Sequence, residues 1–156
     1  MTRDKASLKE KLLAALRADL SVLEKAQAAA QQGATHEEAK PENDKDTRAI
    51  EASYLARGQA LRVRELQDGI RDVEATAVRE FKDAPAALGA LIEVDQEGEA
   101  RSFFLAACGG GLVIDGVNVV TPKSPLGRAF LGAHDGDDRE VTLAGKVRTL
   151  SIITVK

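Results

Sequence analysis

Residues 35–46 read THEEAKPENDKD, and this acidic stretch separates two long segments with helical periodicity. Pro41 lacks a backbone N–H and biases the residue before it away from the α-helical region, so no regular helix passes through the stretch. Asn43 and Asp46 are both suitable N-cap residues for a helix that follows. The stretch therefore predicts a turn between two helices, and this turn carries five acidic side chains and two lysines.

The two flanking segments carry apolar residues at steps of three and four, which is the spacing of one helix face. The first helix is predicted over residues 5–32, ended by Gly33, and the second from about residue 44 to residue 79. The predicted buried stripes are Leu8, Leu12, Leu16, Leu20, Leu23, Ala26 and Ala30 in the first helix, and Ile50, Tyr54, Leu61, Leu66, Ile70, Val73 and Ala77 in the second. Gly58 and Gly69 interrupt the second stripe, which predicts a close approach of the partner helix. These segments predict an antiparallel helical hairpin with the acidic stretch at its tip.

From Pro85, which is predicted to close the helical half, the pattern changes to short β-like runs punctuated by glycine. Strands are predicted at residues 88–94, 101–107, 112–114, 117–121, 140–143 and 147–155. One helix interrupts them, with Ser124 as its N-cap, Pro125 at its first position and Gly132 after its end. The predicted fold class is α+β, with a helical hairpin over residues 1–84 and a small antiparallel β domain with one helix over residues 85–156.

The composition argues against several classes of protein. A net charge of −3 and an aromatic content of 3% disfavour a generally basic or base-stacking nucleic-acid surface. Cys108 is the only cysteine, so no disulfide can form within the chain. No apolar run approaches the length of a membrane span, and the N-terminus lacks the apolar core of a signal peptide. We expect a monomeric cytoplasmic protein without a membrane partner.

The acidic stretch is the strongest candidate for chemistry. Glu42, Asp44 and Asp46 offer carboxylate oxygens, which are the hard ligands that Mg²⁺ prefers, and Mg²⁺ often takes only one or two protein carboxylates. Such a tip could complete a metal site supplied by another molecule. The alternative is a solvated polar turn whose charge complements the dipole of the second helix. Elsewhere the serines lack a nucleophile-elbow context and the histidines lack metal-type partners, so no self-contained catalytic site can be assembled.

Residues 119–132, VVTPKSPLGRAFLG, are followed by HDGDD, and together they resemble the C-terminal domain of the Gre-type transcription elongation factors. In that family a V-x-x-x-S-P-x-x-R-A-x-x-G motif introduces the one helix of an FKBP-like sheet, and an acidic EGD-type turn follows. The matching positions in this chain are Ser124, Pro125, Arg128, Ala129, Gly132, Gly136 and Asp137. The family also has an N-terminal antiparallel coiled-coil hairpin of about this length, so the resemblance spans nearly the whole chain.

The resemblance implies an accessory factor and not an enzyme in its own right. It implies that the C-terminal domain binds bacterial-type RNA polymerase, with Ser124, Pro125 and Arg128 as the binding residues, and that the hairpin enters the secondary channel. Two tip carboxylates then help to hold a second Mg²⁺ shared with the polymerase, which drives cleavage of backtracked RNA. Asp44 and Asp46 are the candidate metal ligands, with Glu42 as a third candidate for the catalytic role. Contact with nascent RNA or DNA is indirect, within the elongation complex.

The tip departs from the cleavage-competent pattern of the family, D-L-x-E-N-A-E-Y. When Glu42 and Asn43 are aligned with the E-N of the pattern, Ala39 falls at the position of the first acid. When Gly58 is instead aligned with a glycine of the family, Asn43 falls at the position of the first acid and Asp46 at that of the second. Three functions therefore stay open: assistance of RNA cleavage, a non-cleaving channel regulator or inhibitor, and an FKBP-like prolyl isomerase. The isomerase is the least favoured, because the domain has three phenylalanines and no Trp or Tyr for an aromatic pocket.

Arg128 also has two interpretations. In one it binds the polymerase, as the resemblance implies. In the other it is structural and pairs within the domain with an acidic side chain of the following turn, such as Asp137 or Asp138.

Overall fold

The computed structural model describes residues 4–35 and 47–156, with side chains described for residues 4–32 and 50–156. Two helices, α1 (Lys5–Thr35) and α2 (Thr47–Ala75), form an N-terminal hairpin, and an antiparallel-rich sheet with a short helix follows. The predicted α+β class is confirmed. By its contacts the chain divides into two compact units. One unit combines Met1–Leu13 with Arg71–Lys156, and the other is Ala14–Ile70. The predicted domain boundary near residue 85 stays a prediction. None of the described helices is long and apolar enough to cross a membrane.

The predicted apolar stripe of α1 is confirmed. Leu8, Leu12 and Leu16 are buried, and the stripe is partly buried from Leu20 onward, as expected for a helix that packs along one face. The end of the helix differs from the prediction, because α1 runs through Gly33 to Thr35. A single glycine costs a helix only ~1 kcal/mol, which the rest of this long helix tolerates.

The predicted stripe of α2 is wrong in its first half. Ile50, Tyr54 and Leu61 are 48%, 65% and 57% exposed, whereas Val63 is buried. Residues two positions apart in a helix are rotated by about 200° around the helix axis, so Leu61 and Val63 lie on opposite faces. A Cβ at Gly58 would meet nothing within 4 Å, so no partner helix requires a glycine there. The prediction failed because α2 turns mainly alanines inward in this half, and large apolar side chains then mark the outer face.

The end of α2 is set by hydrogen bonds that the sequence pattern does not show. Lys9 Nζ donates to the carbonyl oxygens of Glu74 and Thr76 at 2.9 and 2.7 Å. The Thr76 hydroxyl donates to the carbonyl oxygen of Asp72 at 2.8 Å. These bonds satisfy carbonyl groups that a helix end leaves without a helical partner. The helix therefore ends at Ala75, and the predicted continuation to residue 79 is wrong.

The unit that contains Arg71–Lys156 is built on one six-stranded sheet, in the order β3-β4-β2-β1-β6-β5. The elements are β1 (Leu91–Gln96), β2 (Glu99–Leu105), β3 (Val113–Ile114), β4 (Val117–Val120), α3 (Pro125–Phe130), β5 (Asp138–Leu143) and β6 (Lys146–Val155). All pairings are antiparallel except that of β2 with β4, which is parallel. The sheet is thus largely antiparallel, as predicted, and the parallel pairing of β2 with β4 was not predicted. The short strand β3 reverses the chain after β2, and β4 therefore returns in the direction of β2.

The hydrophobic core of this unit joins the sheet to α3. Residues alternate between the two faces of a strand, and Ile92, Phe103 and Leu105 all belong to the buried cluster. Phe130 of α3 belongs to the same cluster, with its ring centroid 5.0 Å from that of Phe103. Phe81 is buried there as well. The core thus holds α3 firmly against the sheet, and it includes a residue that precedes Pro85.

Candidate functional site

The segment that resembles the Gre-type motif forms a tight turn followed by α3. Ser124 is the N-cap: its Oγ accepts a hydrogen bond from the N–H of Gly127 at 3.0 Å and donates one to the carbonyl oxygen of Thr121 at 2.8 Å. Pro125 follows at the start of the helix, where its missing N–H costs no helical hydrogen bond. The predicted cap is confirmed. Its two hydrogen bonds show that the Ser124 hydroxyl is engaged within the turn and positions α3.

Gly127 is the residue of this segment that sequence reasoning missed. A Cβ at this position would lie 1.7 Å from the carbonyl oxygen of Thr121 and 2.5 Å from its carbonyl carbon. The obstacle is backbone, so no change of side-chain conformation relieves the clash. The sequence does contain a signal, because a glycine inside a predicted helix is unfavourable by ~1 kcal/mol and usually has a packing reason. Gly127 lets the first turn of α3 pack directly on the preceding turn.

Arg128 is exposed and makes no hydrogen bond or ion pair with the residues that the structure describes. The acidic side chain that could have paired with it, Asp137, instead binds Arg139, with 3.2 Å between Arg139 Nη2 and Asp137 Oδ2. Asp138 makes no ion pair with Arg128 either. The structural interpretation of Arg128 is therefore not supported, and its guanidinium is available to another molecule.

The residues next to Arg128 in the chain are apolar or positive. Pro125 and Leu131 lie three residues before and after it, so helical spacing places the three side chains close to one another, and all three are exposed. Lys123 is exposed nearby, and residues 116–134 contain no Asp or Glu. We call Lys123, Pro125, Arg128 and Leu131 the α3 surface. A guanidinium bordered by apolar side chains suits a protein surface that presents a carboxylate.

The turn after α3 is held together by Asp137. Its Oδ2 accepts a hydrogen bond from the backbone N–H of His134 at 2.9 Å and one from Arg139 at 3.2 Å. The hydrogen bond from the His134 N–H, followed by the bond and charge of Arg139, holds the pKa of Asp137 below its ordinary value. Asp137 is thus engaged within the turn and orders the chain between α3 and β5.

The predicted tip residues Glu42, Asp44 and Asp46 lie outside the described residues, and their roles stay predictions. Within residues 4–35 and 47–156, no group of three or more His, Cys, Asp or Glu side chains is arranged to hold a metal ion. The predicted metal chemistry therefore rests on the sequence of the tip alone.

The close approach at Gly127 leads to a mutational prediction. Gly127→Ala is expected to destabilise the protein by about 3 kcal/mol, at the upper end of what an inserted methyl group costs in a packed site. Gly58→Ala is the matched control: its Cβ points into open space in a helix, so it should stabilise the protein by about 1 kcal/mol. Thermal unfolding followed by circular dichroism measures both. Equal effects of the two substitutions would contradict the described contact.

The lowered pKa of Asp137 leads to a prediction about pH. A carboxyl group whose pKa is lowered by folding stabilises the folded state above its unfolded pKa, near 3.9, and this contribution is lost as the pH falls through the folded pKa. Asp137→Asn should therefore lower the melting temperature at neutral pH, and the difference from wild type should shrink in acid. Asp138→Asn is the control, since Asp138 is exposed and makes no side-chain hydrogen bond with the described residues. A difference for Asp137→Asn that stays constant down to about pH 2 would refute the assignment.

Comparison with known proteins gives similarity in structure only. No protein-family model matches the chain, and no curated protein matches it. The solved structure of GreA factor homolog 1 (Gfh1) from Thermus thermophilus has 19% sequence identity and a TM-score of 0.40, over 95% of this chain and 94% of that chain. Gfh1 from Thermus aquaticus has 19% identity and a TM-score of 0.42, over 96% and 92%. The transcription elongation factor GreA/GreB from Nitrosomonas europaea has 20% identity and a TM-score of 0.38, over 58% and 78%. By this comparison, the chain is similar to transcription factors of the Gre type.

Proposed function

We propose that this protein is a Gre-like transcription factor that binds bacterial-type RNA polymerase through the α3 surface. The observation that carries the proposal is the state of Arg128, which is exposed and has no partner among the described residues. It stands at the arginine of the motif that resembles the Gre-type domain. A planar guanidinium held on an ordered helix can bind a carboxylate of another protein through two hydrogen bonds.

The three predicted polymerase-binding residues have different roles in this proposal. Ser124 positions α3 through its hydrogen bonds to Thr121 and Gly127. Pro125 and Arg128 are exposed and form the contact. Leu131 extends the apolar part of the α3 surface, although the motif does not include this position.

The tip supplies the second part of the proposed function. Glu42, Asp44 and Asp46 offer only carboxylate oxygens, and this donor set fits a Mg²⁺ ion that is held jointly with the polymerase. When bound there, Mg²⁺ supplies the positive charge that favours hydrolysis of an RNA phosphodiester. The tip residues of this chain bring carboxylates to the ion, with Asp44 and Asp46 as ligands. The factor is therefore an accessory to the polymerase, which holds the RNA and provides the rest of the active site.

A second candidate function is a regulator that occupies the channel without assisting cleavage. It is favoured by the tip sequence, because Ala39 or Asn43 takes the place of the first acid of the cleavage-competent pattern, depending on the alignment. Prolyl isomerase activity is not supported by the structure of the domain. Phe103, Phe104 and Phe130 are all buried, which leaves none of them as an exposed aromatic surface for a proline.

A backtracked complex of bacterial RNA polymerase tests the proposal. Wild-type protein should bind the complex and shorten its RNA in the presence of Mg²⁺. The double variant Asp44→Asn with Asp46→Asn should bind but not shorten the RNA, because an amide is a weaker Mg²⁺ ligand than a carboxylate yet caps a helix equally well. Arg128→Glu should weaken binding at least tenfold, equivalent to about 1.4 kcal/mol, because it places like charges opposite each other. Lys146→Glu is the control for net charge, since Lys146 is exposed and lies outside the α3 surface.

The outcomes separate the two candidate functions. Binding with RNA shortening supports assistance of cleavage, whereas binding that slows elongation without shortening at any Mg²⁺ concentration supports the regulator. The docking proposal is refuted if Arg128→Glu binds as tightly as Lys146→Glu and wild type.

A further inference from the structure

The face of the sheet that points away from α3 is open along β6. Side chains alternate between the two faces of a strand, and the buried Leu150 points to the core, so its neighbours Thr149 and Ser151 point outward. Both are exposed. Val147 and Ile153 continue the row in the two directions and are 66% and 48% exposed. These four side chains are open to solvent in the part of the chain that the structure describes, and we call them the β6 row.

Carboxylates flank the β6 row on both neighbouring strands. Asp95 of β1 and Asp138 of β5 both lie opposite Ser151, so the three residues form one rung across the sheet. Each of the two strands carries a second carboxylate on the same face, Glu93 on β1 and Glu140 on β5. Neighbouring strands lie ~4.8 Å apart, which places the two acidic flanks ~10 Å from each other. We call the β6 row together with these four carboxylates the β6 trough.

The β6 trough stays negative when the basic residues of the same strands are counted. Four of them alternate to the face on which α3 packs: Arg101, Arg139, Lys146 and Arg148. Among the described residues of these strands and the end of β6, only Lys156 faces the trough, with its Nζ 3.6 Å from Glu93 Oε1. The cleft beyond Lys156 holds both signs of charge, from Asp4, Lys5, Arg79, Glu80, Lys82 and Asp135.

The carboxylates of the β5 flank have no partner of their own. Asp138 and Glu140 are exposed and make no hydrogen bond or ion pair with the residues that the structure describes. On the β1 flank, Asp95 Oδ1 accepts only the backbone N–H of Gly98, at 2.8 Å, and that bond leaves its negative charge uncompensated. Opposite charge across an interface selects the partner, so the trough selects a basic one.

The dimensions of the β6 trough are those of an α-helix laid along β6. A helix with its side chains is ~10 Å wide, which equals the distance between the two acidic flanks. The floor is low in the middle, because Thr149 and Ser151 are short, and aliphatic at Val147 and Ile153. From Val147 to Ile153 the strand rises ~20 Å, a length that ~14 helical residues span. An amphipathic helix in a groove is a common form of peptide recognition.

Other occupants fit the β6 trough less well. Asp95 and Asp138 lie ~10 Å apart across the rung, too far to share one cation at ligand distances of ~2.4 Å. Within the described residues, no three acidic, His or Cys side chains are arranged to hold a metal ion. A nucleic acid is repelled by the carboxylates, and a small polyamine makes no use of Val147 and Ile153.

We propose that the β6 trough binds a basic amphipathic helix of a partner protein other than the polymerase. The aliphatic side chains of the helix contact Val147 and Ile153, and lysines or arginines on its two flanks pair with the carboxylates of β1 and β5. α3 packs on the other face of the sheet through Phe130, so the α3 surface and the trough lie on opposite sides of the sheet. A helix in the trough leaves the α3 surface open, and the inference does not depend on the proposed function.

Titration of the full chain with a synthetic peptide, followed by fluorescence anisotropy, tests this inference. The probe has about 16 residues, ~24 Å as a helix, with leucines along one stripe, lysines on both flanks and alanines elsewhere. One control peptide carries glutamate in place of lysine. The other has the composition of the probe in an order that scatters the leucines around the helix. The probe should bind, and both control peptides should bind about tenfold more weakly.

Two double variants locate the contact. Asp138→Asn with Glu140→Gln removes the charge of the β5 flank and should weaken probe binding about fivefold, because each exposed ion pair contributes modestly. Val147→Thr with Ile153→Thr removes apolar contacts, keeps β-branched residues in the strand and should weaken binding by a similar factor. Added salt should reduce the effect of the first variant more than that of the second.

Asp19→Asn with Asp72→Asn is the matched control variant. It removes the same charge from exposed positions on α1 and α2, and it should bind the probe as wild type does. Circular dichroism must show wild-type secondary structure for every variant compared.

Four results would overturn the inference. The first is a wild-type protein that does not bind the probe at about 1 mM, or binds the scattered peptide equally well. The second is equal weakening by the control variant, which would show attraction by net charge alone. The third is a polymerase affinity that falls as far as the probe affinity in Asp138→Asn with Glu140→Gln, which would make the trough a polymerase contact. The fourth is a self-associated wild type that the same variant dissociates, which would make the trough an interface between copies of this chain.

Discussion

The backbone contact between the start of α3 and the turn that precedes it is the constraint on which the candidate docking site depends. Only a residue without a Cβ fits at position 127, where a side chain would begin 1.7 Å from the carbonyl oxygen of Thr121. The Ser124 hydroxyl donates a hydrogen bond to Thr121 and accepts one from Gly127, the two residues in contact. Phe130 packs the other end of the short helix into the core. A helix of six residues is too short to be stable alone, and these three interactions hold it in place. Its exposed side chains, Arg128 among them, are consequently presented by an ordered element.

Local chemistry explains which features could be predicted from the sequence. The cap at Ser124 and the proline after it depend on neighbouring residues only, and both are found. The hairpin turns at Asp115-Gly116 and Ala144-Gly145, where all four residues adopt positive φ, lie between strands that the sequence predicts. The stripe of α1 was predictable because leucines mark its buried face.

The features that the sequence did not reveal depend on partners distant in the chain or on small side chains. Lys9 ends α2 from sixty-five or more residues away, and no local stop signal marks that position. The inner face of α2 is built mainly from alanines in its first half, so its larger apolar side chains pointed the prediction to the wrong face. The parallel pairing of β2 with β4 follows from the two-residue strand β3, which is too short for a periodic signal. Arg128 was named from the motif, but only the structure shows that Asp137 is already paired with Arg139.

Charge is distributed unevenly along a chain whose net charge is only −3. The α3 surface carries Lys123 and Arg128 beside apolar side chains, whereas the stretch at residues 35–46 is acidic. The proposed function assigns the two regions separate roles, with polymerase binding at the α3 surface and metal binding at the acidic stretch. The most direct measurement of the central claim is photo-crosslinking from the α3 surface, with benzoylphenylalanine in place of Leu131 and, as a control, in place of the exposed Val147 on β6. The account predicts a crosslink to RNA polymerase from position 131 that excess unlabelled protein abolishes, and none from position 147. Equal crosslinking from both positions, or none from position 131, would contradict it.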